Sequence, residues 1–128
     1  LWDLCCKAVR SGDILLSGSG EETRDWIEVT DAIELLSFIS SLASPIVPKI
    51  NIASGVGLSV RHISEIVLDN FQIKNRLIFT GECRPGDPTN LVANIDMLKQ
   101  LKSVNLMPIE DGVKNYVSWF KNDHILNK

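Results

Sequence analysis

The chain has no long apolar run: its uninterrupted hydrophobic stretches last only a few residues, far short of the roughly 20 that a membrane-crossing helix needs. No membrane partner is therefore expected. The first residues also lack a charged start followed by a long apolar stretch, so no secretory leader is expected in them. Basic charge is not in excess, because 13 Lys and Arg stand against 16 Asp and Glu, a net charge of −3. Without a basic stripe to release counterions from phosphates, no nucleic-acid partner is expected either. Cysteine is scarce and odd in number. Cys5 and Cys6 are adjacent and Cys83 stands alone, with no CxxC and no Cys/His cluster at ligand spacing. That excludes a disulfide framework and a metal site from the expectations, and it suits a reduced, cytoplasmic setting. Neither of the two histidines, His62 and His124, has a carboxylate or nucleophile at motif spacing, so both read as surface residues. There is a single tyrosine, Tyr116.

What is present is ordinary for a globular domain: 128 residues, 45% hydrophobic and 23% charged, enough for one core without staples. Leu1, Leu4, Cys5, Ala8 and Val9 recur at helical spacing, with Gly12 as a stop. Asp13 to Leu16 reads as a strand ending in the turn Gly18-Ser19-Gly20, and a second strand is predicted at Trp26 to Val29. Asp31 followed by Glu34 resembles a capping box. It precedes an apolar stripe of Ala32, Leu35, Leu36, Ile39, Leu42 and Ala43, which Pro45 and Pro48 end. Lys49 to Ala53 alternates like a strand. Ser59 suits the N-cap of a helix whose inner face is Val60, Ile63, Ile66, Val67 and Phe71. A strand at Leu77 to Thr80, a loop from Glu82 to Asn90 and a short helix from Ile95 to Leu101 follow. The last helix starts near Ile109, with Ile109, Val113, Tyr116, Val117 and Phe120 on one face.

Helices and strands that alternate in this way imply an α/β fold with a small, partly parallel sheet. So small a sheet hardly covers its helices, and apolar surface in want of a partner is expected. The chain starts at Leu1 rather than at a methionine, and the expectation is a segment of a longer protein.

Four separated segments, in order, resemble the C-terminal half of the extended short-chain dehydrogenases that act on nucleotide sugars, the UDP-glucose 4-epimerase-like NAD(P)-dependent epimerases and dehydratases. Gly18-Ser19-Gly20 with RDWIEVTD, Arg24 to Asp31, resembles a G-x-G turn followed by R-D-[WY]-I-x-V-x-D. INIASGVGLSV, Ile50 to Val60, is similar to the family's strand, glycine turn and helix start. FTGECRPGDP, Phe79 to Pro88, with LVANI after it, resembles the R-x-G-D loop and the helix beyond. Pro108 to Trp119 resembles the closing helix. Glu28 stands where the family usually has His or Tyr, and Asn94 where it has a helix-starting Asp. Both departures bear on the subfamily.

The resemblance implies a C-terminal substrate-binding domain spanning residues 1–128, with short, partly parallel strands and flanking helices and without the main Rossmann sheet. It implies a nucleotide-sugar substrate and, in the full-length parent, NAD or NADP. This chain lacks the Gly-rich phosphate turn and the Tyr-x-x-x-Lys pair, so no cofactor site and no catalytic residue are expected in it. Gly55 and Gly57 make no dinucleotide fingerprint, because the third glycine and the downstream acid are missing. Arg24 and Arg84 match positions that contact the substrate diphosphate, a task suited to the two parallel donors of a guanidinium. Asp87 matches a position that hydrogen-bonds ribose hydroxyls. Asp25 and Asp31 read as structural, Asp31 as a helix cap, and Asn51 and Ser59 as strand-edge polarity and N-cap. The partners implied are the missing N-terminal Rossmann domain and, for the parent, a second copy in a homodimer. The competing reading is a stand-alone, non-catalytic binding or interaction module derived from such an enzyme.

Overall fold

The computed structural model describes residues 1–10, 12–42, 49–74, 76–82 and 85–124. Helix α1, Trp2–Ala8, buries Leu4, Cys5 and Ala8, as the spacing of its apolar residues requires. Strand β1, Ile14–Leu16, pairs in parallel with β4, Leu77–Phe79, so that Ile14 lies opposite Leu77 and Leu16 opposite Phe79. A second sheet has β2, Thr23–Asp25, at its centre. There β2 runs antiparallel to β3, Gly57–Ser59, and parallel to β5, Asn90–Leu91. Helices α2, Val29–Ser41, α3, Val60–Phe71, α4, Asp96–Leu101, and α5, Ile109–His124, complete the fold. This is the expected α/β class with short, partly parallel strands.

Two apolar clusters hold these elements. The larger joins α1, β1, α3 and α5 through Cys5, Ile14, Val67, Val113, Val117 and Phe120. The smaller joins α2 to α4 through Leu35, Ala53, Ile95 and Leu98. Ser59 caps α3 as expected, its hydroxyl accepting from the His62 N–H at 3.1 Å. The inner face of α3 is centred on Ile63, Ser64, Val67 and Leu68, while Val60, Ile66 and Phe71 are only half-buried.

Several expectations are corrected. The second strand lies at Thr23–Asp25, ahead of Trp26 to Val29, where Thr23 and Arg24 pair with both β3 and β5 and Glu28 already caps the next helix. Glu28, not Asp31, is the N-cap of α2: it accepts from the Thr30 N–H at 2.6 Å, the Asp31 N–H at 3.4 Å and the Thr30 hydroxyl. Asp31 instead accepts from the Met107 N–H at 2.7 Å, tying α2 to the segment before α5. Lys49 to Ala53 forms no strand. Ala53 is buried in the smaller cluster and Ile50 and Ile52 pack against it. Asn51, expected at a strand edge, donates from its side chain to the Asn94 carbonyl at 2.9 Å. The partner of β2 is the unexpected Gly57–Ser59. Of the stripe predicted for α2, Leu35 is buried but Leu36 and Leu42 are exposed; Ala43, Pro45 and Pro48 lie outside the described residues. His62 is exposed. His124 is not a surface residue: it is half-buried, with its ring 4.3 Å from that of Trp2 and stacked at 5.3 Å on Phe120.

Candidate functional site

The site is built where β1 and β4 end and β2 and β5 begin. Beyond β1 the chain turns through Gly18 and Gly20, whose φ values of +83° and +88° suit glycine. The carboxylate of Glu22 reaches back over this turn. It accepts from the Ser19 N–H at 2.8 Å, the Ser19 hydroxyl at 3.0 Å and the Gly20 N–H at 2.9 Å. These donors, the Ser19 N–H foremost, hold the Glu22 carboxyl down at about 2. The loop after β4 is fastened to the same turn, since the Gly18 N–H donates to the Glu82 carbonyl and the Gly81 N–H to the Gly18 carbonyl, each at 2.9 Å. Arg61, in the first turn of α3, locks the other side. Its guanidinium donates to the Ser19 carbonyl at 2.9 Å and to Glu21 at 3.0 Å, and lies 4.4 Å from the centre of the Phe79 ring.

Together these segments enclose a cavity of about 270 Å³ lined by Ser17, Gly18, Ser19, Glu22, Arg24, Val60, Glu82, Asp87 and Thr89. Arg24 and Asp87, distant in sequence, are thus brought to one cavity. Arg24 sits mid-strand on β2, with one guanidinium nitrogen donating to the Thr23 carbonyl at 2.8 Å; Asp87 is exposed in the loop before β5. Arg84 lies outside the described residues, as does Cys83. Among the described lining residues, three carboxylates face one guanidinium.

Asp25, beside Arg24, is structural as expected. It accepts from the Ser54 hydroxyl at 2.6 Å and from the backbone N–H groups of Ser54 at 2.8 Å, Gly55 at 3.0 Å and Ala93 at 3.2 Å. Burial would raise its pKa, but these donors, the Ser54 hydroxyl first, outweigh burial and lower it. One carboxylate therefore fastens β2 to both flanking segments and fixes the point from which Arg24 projects. Glu22 and Arg61 were not singled out from the sequence. Glu22 carries a faint signal, an acid two residues past a G-x-G turn, whereas Arg61 has none beyond its place after the N-cap Ser59. Among the described residues no group of His, Cys, Asp or Glu is placed to hold a metal ion. No helix among them is long and apolar enough to cross a membrane.

No protein-family model matches the chain. Comparison with known proteins nevertheless finds relatives. The GDP-L-fucose synthase of Escherichia coli is 24% identical over 121 residues, covering 88% of this chain and 37% of the synthase. The chain's homologues are NAD(P)-dependent sugar-nucleotide epimerases, dehydratases and GDP-L-fucose synthases. It matches the C-terminal part of these enzymes and spans about 37% of the length of the curated relatives. Solved structures of the epimerase/dehydratase group share the fold. An epimerase from Methanothermobacter thermautotrophicus superposes with a TM-score of 0.84 at 21% identity, over 97% of this chain and 37% of that one. The UDP-N-acetylglucosamine 4-epimerase of Methanobrevibacter ruminantium, in complex with UDP-N-acetylmuramic acid, gives 0.79 at 22% identity, over 93% and 38%. Such coverage takes in most of the chain, and with it the small α/β domain that carries the cavity.

Proposed function

We propose that residues 1–128 are the C-terminal, substrate-binding domain of an NAD(P)-dependent nucleotide-sugar epimerase or dehydratase, and that the cavity beside the Gly18-Ser19-Gly20 turn receives the nucleotide diphosphate. The observation that carries this reading is the convergence of Arg24 and Asp87 on one cavity, in a chain whose homologues act on nucleotide sugars. Arg24, with Arg84, pairs with diphosphate oxygens through parallel N–H donors. Asp87 accepts from ribose hydroxyls. The glycine turn and the Asp25 anchor hold these groups still, which is a substrate domain's contribution to orientation.

NAD or NADP, present in solved relatives, supplies the hydride chemistry and belongs to the rest of the polypeptide. The residues of this domain bind and position, and do not themselves react. The free thiols of Cys5 and Cys6 go with a cytoplasmic setting. An antibody against this chain tests the reading. It should recover from source cells a protein of well over twice 14.2 kDa that turns over a UDP- or GDP-sugar with bound NAD(P). A 14.2 kDa protein without turnover would contradict it and leave a stand-alone binding module.

A further inference from the structure

Ser19 and Glu22 line the cavity, and the peptide between Ser19 and Gly20 is gripped from both sides. Its N–H donates to the Glu22 carboxylate at 2.9 Å, and its carbonyl accepts from the Arg61 guanidinium at 2.9 Å. In a trans peptide these two groups point in opposite directions, so the grip fixes which of them faces Glu22. Without it the orientation is open: Gly20 sits at φ +88°, and a glycine takes either sign of φ at little cost. A flipped peptide would turn the Ser19 carbonyl oxygen toward Glu22 and the cavity wall. A partial negative charge there opposes an anionic ligand.

The surroundings of Arg61 suit it to this grip. Its backbone N–H donates to the Gly20 carbonyl and the Val60 N–H to the Glu22 carbonyl, each at 2.9 Å, so the start of α3 is already fastened to the turn. The guanidinium also donates to Glu21 at 3.0 Å and lies 4.4 Å from the centre of the Phe79 ring. A Cβ on Gly20 would meet that same ring at 2.8 Å. Arg61 thus uses two donors and a planar face at once, which an ammonium group cannot do. It is not itself one of the residues lining the cavity. Resting on the reading of the cavity as the diphosphate site, we propose that Arg61 is a positioning residue for substrate binding. By holding the Ser19–Gly20 peptide with its carbonyl toward α3, it keeps that carbonyl off the wall that receives the phosphates.

The native polypeptide, as wild type, Arg61→Ala and Arg61→Lys, tests this with two measurements. Hydrogen exchange at the Gly20 N–H, followed without ligand, should be several-fold faster in both variants. Affinity for a UDP- or GDP-sugar, by calorimetry, should fall roughly 3- to 10-fold in both, the net worth of one hydrogen bond. Arg76→Ala removes the same charge from an exposed pair with Asp13 at 3.5 Å and should leave affinity unchanged. Full affinity in Arg61→Lys would overturn the proposal, because charge alone would then suffice. So would Gly20 exchange at the wild-type rate in Arg61→Ala. Wild type that binds no nucleotide sugar contradicts the reading of the cavity and ends this proposal with it. Wild type that binds, with equal affinity in Arg61→Ala, leaves that reading standing and removes only the role of Arg61.

Discussion

Glu22 puts both carboxylate oxygens on donors of the turn that walls the cavity, and those donors take its pKa from an ordinary 4.5 to about 2. The folded state thus prefers the ionised form more strongly than the unfolded chain does. Its contribution is complete above the unfolded value, near pH 4.5, and is lost as the pH falls toward 2. The urea midpoint of the wild type should therefore drop further between pH 6 and pH 3 than that of Glu22→Gln; parallel profiles would show that the turn does not depend on this charge. Asp25 is the stronger anchor. Asp25→Ala leaves three backbone N–H groups and the Ser54 hydroxyl without their acceptor and should cost roughly 2–4 kcal/mol in urea unfolding. A motif singled out Arg24 and Asp87, which the fold brings to one cavity, and the structural Asp25 beside Arg24. Glu22 was not singled out, because a side chain that serves a neighbouring turn has no periodicity to betray it.

Among the elements, the helices were legible, and so were strands β1 and β4, whereas β2 and β3 were not. A helix such as α5 repeats its apolar residues over several turns, and Val113, Val117 and Phe120 are buried as that repeat requires. Three residues are too few to show alternation, and β2 and β3, Thr-Arg-Asp and Gly-Leu-Ser, lack the consecutive apolar residues that mark β1 and β4. Their place is decided by long-range pairing, Thr23 with Ser59 and Asp25 with Gly57, which no local pattern encodes. The start of α2 was misplaced by three residues for a related reason: Asp31 has capping chemistry, but its carboxylate is engaged by Met107, leaving the cap to Glu28. Glu28→Ala should destabilise the protein by about 1 kcal/mol in thermal or urea unfolding. Phe120→Ala, removing a ring that is 2% exposed in the larger cluster, should cost roughly 3–5 kcal/mol. If the Glu28 change proved the costlier, the larger cluster would not be the chief source of stability.

At the scale of the whole molecule, the described residues form two small sheets, with Arg24 and Asp87 at one cavity and exposed apolar side chains elsewhere. Uncovered apolar surface was foreseeable from the sequence pattern, because so few strand residues cannot cover the five helices found among the described residues. The pattern could not say where that surface would lie, since α2 carries apolar residues on two faces and only the packing of Leu35 decides which is inside. The measurement that bears most directly on the assignment of the cavity is calorimetric titration of UDP- and GDP-sugars into the native polypeptide, wild type and Arg24→Ala. A charge-assisted contact of about 1.5–3 kcal/mol implies roughly a 10- to 100-fold loss of affinity in the variant, with the fold intact by circular dichroism. Equal affinity in the two proteins, or no nucleotide-sugar binding by the wild type, would contradict the assignment of this cavity to the substrate diphosphate.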